Sequence, residues 1–122
     1  MLHIELDHTD DGLTICRPVG ELDAFTVSQF RQSLAELAST AGLLLIDMSA
    51  VPFVDSAGLG ALIGGIRRAR ELGGDVAVAC NRPTLTRLLR TTGFDRIVTV
   101  AETIEEAAAA LKPKHDASQG PS

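Results

Sequence analysis

The chain of 122 residues is 45% hydrophobic and 22% charged, with a formal net charge of −5. This length fits one domain that can build a core without metal or disulfides. The acidic balance, with four Phe and neither Trp nor Tyr, speaks against nucleic-acid backbones or stacked bases as partners. No apolar run nears the roughly 20 residues of a membrane span, and the start lacks the regions of a signal peptide; a cytoplasmic protein is expected.

Residues 2–7 and 13–19 read as two strands joined through Asp10-Asp11-Gly12, a turn signal that predicts a hairpin. Gly20-Glu21-Leu22-Asp23 then leads into a first helix. Thr26 and Gln29 fit a capping box there, with Asp23 as an alternative cap. Val27, Phe30, Leu34 and Leu37 form its apolar face, and Ala41-Gly42 ends it. Leu43-Leu44-Leu45-Ile46 is a continuous apolar run, as in a strand covered on both faces. A second helix carries Leu59, Leu62, Ile63 and Ile66. Arg67, Arg68 and Arg70 suit the dipole of its last turn, and Gly73-Gly74 stops it.

Residues 76–80 read as a further buried strand. Pro83 opens a third helix with Leu85, Leu88 and Leu89 inward, and Gly93 ends it with Phe94 folding back. Residues 97–100 are a last strand, and Thr103 with Glu106 caps a fourth helix reaching Leu111. Residues 112–122, with Pro113 and Pro121, are expected to be a disordered tail. The order predicts a single α/β domain over residues 1–111. It would have a mixed, mostly parallel sheet after an N-terminal hairpin, and about four helices.

The stretch that invites chemistry is FVDSAGLGALIGG, residues 53–65. A nucleophile elbow needs glycine two residues before and after its serine; Gly58 fits Ser56, but Val54 fills the earlier place. His3 and His8 belong to the first strand or hairpin and His115 to the tail, so a partner base is missing and no enzyme is expected. A P-loop would end in Gly-Lys-Ser/Thr where this chain has Gly65-Ile66-Arg67, and Ile63 replaces the third glycine of a dinucleotide fingerprint. Gly60 and Gly64, four apart, read instead as a small-residue ridge for close helix packing. Cys16 and Cys80 sit singly in apolar strands as buried hydrophobes, without metal-ligand spacing.

Ser56 then reads as a helix N-cap, worth about 1 kcal/mol over alanine, or as a modification site. The two roles are compatible. A phosphate there would add about −1.5 to −2 charge beside Asp55. The helix start tolerates such charge, whereas a docked partner would meet a bulky dianion.

Taken together, GELDAFTVSQFR (residues 20–31) and the segment from Leu43 through the Asp-Ser-x-Gly-Leu-Gly signature at residues 55–60 to Val100 resemble STAS-domain proteins. The resemblance is to the stand-alone bacterial anti-sigma factor antagonists and covers about residues 2–111. It implies a protein without cofactor or metal that, unphosphorylated, binds an anti-sigma factor and frees a sigma factor for transcription. It also implies that this anti-sigma factor doubles as a serine kinase acting on Ser56, and that a PP2C-type phosphatase reverses the mark. Asp23 and Asp55 match acidic residues that help recognise the kinase. Residues 58–64, with Gly58, Gly60 and Gly64, match part of the docking surface. Ala57, in the same partner-binding stretch, stands where many members carry a second serine, which removes an alternative acceptor. Two other readings remain: a phosphorylation-independent adaptor of a transporter or sensor complex, and an antagonist gated by oxidation of Cys16 and Cys80.

Overall fold

The computed structural model describes residues 2–40 and 42–111. The hairpin is β1 (His3–His8) and β2 (Leu13–Val19), antiparallel, with His8 opposite Thr14 and His3 opposite Val19. Gly12 turns the chain at φ +89°, a left-handed conformation that suits glycine.

From β2 the sheet grows in one direction only. β3 (Leu43–Asp47), β4 (Asp75–Ala79) and β5 (Thr99–Ala101) add in parallel, giving the order β1-β2-β3-β4-β5. The crossovers are α1 (Val27–Thr40), α2 (Ser56–Glu71) and α3 (Pro83–Thr91). Parallel crossovers share a right hand, so a sheet always extended to the same side receives all its crossover helices on one face. Phe30 and Leu34 of α1, Leu62 and Ile66 of α2, and Leu85 and Leu89 of α3 accordingly share one core with Cys16, Leu44, Ile46, Val76 and Val78.

The other face is closed by α4 (Ile104–Leu111), whose Ala107 and Leu111 pack with Leu13, Leu45, Ala77 and Ala79. Because side chains alternate along a strand, β3 and β4 feed both layers. This is the physical reason for their unbroken apolar runs.

Four local expectations are corrected. The capping box of Thr26 and Gln29 does not form, because Gln29 Nε2 donates to the Leu2 carbonyl at 3.0 Å. Asp23 Oδ1 instead accepts the Phe25 and Thr26 N–H groups at 2.9 and 3.1 Å, since a short Asp side chain reaches donors two and three residues on. The last strand starts at Thr99 rather than Ile97. A 3-10 turn at Phe94–Arg96 takes the Ile97 and Val98 N–H groups onto the Phe94 carbonyl at 2.9 and 3.2 Å. The other two, Ser56 as a cap and Gly60 with Gly64 as a packing ridge, belong to the site below. Thr103 does cap α4, accepting the Glu106 N–H at 3.1 Å. The expected helix stop at Ala41 and the expected tail at residues 112–122 lie outside the described residues. Among the described residues, no helix is long and apolar enough to cross a membrane.

Candidate functional site

After β3 the chain does not enter α2 directly. It first runs beside the segment leaving β2. Gly20 N–H donates to the Ala50 carbonyl at 3.1 Å, Leu22 N–H to Phe53 at 2.9 Å, and Asp55 N–H to Leu22 at 3.0 Å. The result is a parallel bridge pairing Leu22 with Val54, both buried. Side chains alternate on extended backbone, so their neighbours Glu21, Asp23, Phe53 and Asp55 turn toward the surface. The bridge thus brings Asp23 and Asp55, far apart in sequence, onto one edge.

Asp55 holds this edge together. It is the N-cap of α2, with φ −98° and ψ −174°, and its Oδ1 accepts the Gly58 N–H at 3.0 Å. Its Oδ2 accepts the Ala24 N–H at 3.2 Å, so one carboxylate caps α2 and clamps the loop before α1. The expectation that Ser56 caps the helix is therefore corrected. Ser56 is the first helical residue and is exposed, because the cap falls one residue earlier on a carboxylate that gains a second donor from Ala24. Ala57 is half-buried and Gly58 buried. A Cβ on Gly58 would lie 2.5 Å from the Leu22 carbonyl oxygen, so only glycine fits against the bridge.

Gly60 and Gly64 do not form a packing ridge. A Cβ on either would meet nothing within 4 Å. Close packing falls to Gly58 and to Gly65, where a Cβ would come 2.7 Å from Leu34 Cδ1 of α1. A spacing of four identifies a row along a helix but not the direction it faces. Ser56, Gly60 and Gly64 recur every four residues on one exposed side. That strip presents a hydroxyl at its head and bare backbone behind, with half-buried Leu59 and Ile63 beside it.

Two residues at this edge escape a reading by pattern: Phe25 is 95% exposed and Phe53 51% exposed. The one available signal was phase, since Phe25 falls outside the stripe of Val27, Phe30, Leu34 and Leu37.

The two cysteines lie elsewhere, both buried in the core. Cys16 pairs with Ile46 and Ile46 with Val78, while Cys80 lies two residues further on. Two strand spacings separate the cysteines by roughly 10 Å, beyond the reach of a disulfide. Burial pushes the Cys16 thiol up to about 12, and Cys80 Sγ accepts the Thr86 hydroxyl at 3.4 Å. Oxidation needs thiolate character and access, so this geometry weighs against redox gating. On β1, His3 Nε2 lies 3.9 Å from a Glu5 carboxylate oxygen and the His8 ring bonds Thr14 Oγ1 at 3.1 Å. Among the described residues no group of three His, Cys, Asp or Glu is placed to hold a metal ion.

This fold has known counterparts. Residues 3–107 match the STAS domain. An anti-sigma F factor antagonist of Paenibacillus polymyxa is 31% identical over 101 residues, which are 81% of this chain and 86% of that one. An anti-sigma-B factor antagonist of Listeria monocytogenes is 27% identical over 100 residues, covering 81% and 88%. The crystal structure of an anti-sigma factor antagonist from Mycobacterium paratuberculosis superimposes with a TM-score of 0.82 at 26% identity, covering 93% of this chain and 96% of that one. The chain belongs to the STAS-domain family, among its anti-sigma factor antagonists.

Proposed function

We propose that this chain is a non-enzymatic switch that binds an anti-sigma factor when unphosphorylated and so frees a sigma factor. In this reading the anti-sigma factor is also a serine kinase. Its phosphorylation of Ser56 ends the complex, and a PP2C-type phosphatase restores it. The relatives named as antagonists of anti-sigma factors support the partner class.

The observation that carries the switch is the division of labour at the start of α2. Asp55 does the capping, and Ser56 stands exposed at the head of the strip formed with Gly60 and Gly64. A kinase reaches such a hydroxyl without unfolding the helix. A partner lying on the bare strip would approach the backbone closely, leaving little room for a phosphate beneath it. Ala57 and Gly58 flank the hydroxyl without bulk, and Asp23 and Asp55 supply acceptors at the edge. A docking loss of about 3 kcal/mol weakens binding roughly a hundredfold, enough to empty a complex at cellular concentrations.

The test is a pull-down with wild type, Ser56→Ala and Ser56→Glu, with phosphopeptide mapping of the recovered wild type. A kinase-type anti-sigma factor held by wild type and Ser56→Ala but not by Ser56→Glu, with phosphate mapped to Ser56, is the expected result. Equal retention by all three forms and an unmodified Ser56 would overturn the switch and favour a phosphorylation-independent adaptor.

A further inference from the structure

Of the four phenylalanines, Phe30 and Phe94 are fully buried, whereas Phe25 is 95% and Phe53 51% exposed. Both exposed rings stand on the two segments joined by the Leu22–Val54 bridge. Both segments are fastened. Phe25 N–H donates to Asp23 Oδ1 at 2.9 Å, Ala24 N–H to Asp55 Oδ2 at 3.2 Å, and the Phe53 carbonyl accepts the Leu22 N–H at 2.9 Å. Aromatic groups held out on ordered backbone lose little conformational freedom when they dock. They are also the side chains that concentrate binding energy in protein interfaces.

The surroundings state the partner's chemistry. Residues 20–26 and 48–58 include Glu21, Asp23 and Asp55 and no Lys, Arg or His, while Arg82 reaches the start of the second segment from outside, its Nε donating to the Ser49 carbonyl at 3.1 Å. A surface complementary to two aromatic rings among three carboxylates is apolar at its centre and basic at its margin. The patch is continuous with Ser56, which follows Asp55 directly.

We propose that Phe25 and Phe53 anchor this face in its protein partner, which presents an apolar socket edged by Arg or Lys. The proposal rests on the function inferred above and names the residues that hold its complex. Because the kinase must seat the same anchors to reach Ser56, Phe25 governs access to phosphorylation as well as binding.

The experiment uses the kinase-type partner recovered with wild type, purified and titrated against wild type, Phe25→Ala, Phe53→Ala, the double variant and Leu72→Ala. Phe25→Ala should weaken binding about thirtyfold and Phe53→Ala about tenfold. Each should raise KM for phosphorylation of Ser56 while leaving kcat unchanged, with Tm as in wild type. Leu72, 48% exposed at the opposite end of α2, should tolerate alanine without effect on binding. Affinity should fall as salt rises. Recovery of no such partner overturns the function and this proposal with it. A partner that binds the wild type and the double variant equally overturns the anchors alone, and binding indifferent to salt overturns the basic margin.

Discussion

Replacing Gly58 with alanine tests the contact that fixes the site. The new Cβ would stand 2.5 Å from the Leu22 carbonyl oxygen and 2.9 Å from both the Leu22 carbonyl carbon and its Cβ. That is about 1 Å inside ordinary contact. Leu22 is fully buried, and the atoms met are mostly backbone, so no flexible side chain can swing aside. Relief requires the Leu22 segment to retreat, which strains its hydrogen bonds to Phe53 and Asp55 and the Ala24 link to the Asp55 carboxylate. Overpacking of this kind costs about 1–3 kcal/mol, against which alanine's helix preference returns up to about 1 kcal/mol. Gly60→Ala carries the same preference and meets nothing within 4 Å. The shared preference cancels between them, so the two variants should differ in stability by about 1–3 kcal/mol, with Gly58→Ala at or below wild type and Gly60→Ala at or above it. Urea unfolding followed by far-UV circular dichroism, with a shared m-value, measures the difference. Equal midpoints for the two alanine variants would refute the close approach of α2 to the Leu22 strand.

Two further outcomes follow from the capping geometry and the buried thiol. Ser56→Ala should leave unfolding free energy within about 0.5 kcal/mol of wild type, while Asp55→Ala should lose about 1–2 kcal/mol; the reverse order in thermal melts would restore Ser56 as the cap. The Cys16 thiol titrates near 12 in the folded chain against an ordinary 9.0, because burial disfavours the thiolate. The folded state thus keeps a proton that the unfolded state loses. The associated stability is complete below pH 9.0 and declines as pH rises toward about 12. Urea midpoints above pH 9.0 should fall less steeply in Cys16→Ala than in wild type, and identical slopes would contradict the burial of that thiol.

The sequence by itself determined the element order, the hairpin and the two-sided burial of β3 and β4. These rest on short-range rules: Gly12 after two aspartates turns the chain, a run such as Leu43 to Ile46 needs cover on both faces, and Pro83 and Thr103 open helices. The same rules located the candidate edge, since Asp55, Ser56 and Gly58 fall within four consecutive residues. Only the tertiary structure decided how that edge works. Whether Asp55 or Ser56 caps α2 depends on the Ala24 N–H, brought from another segment by the Leu22–Val54 bridge. Which glycines pack and which face outward depends on where Leu22 and Leu34 lie, because a helical spacing has a period but no absolute phase until a neighbour sets it. Phe25 and Phe53 were invisible for the same reason. Hydrophobicity predicts burial only on average, and the bonds that fasten the two segments to each other, Ala24 N–H to the Asp55 carboxylate and Leu22 N–H to the Phe53 carbonyl, exist only once those distant segments have met.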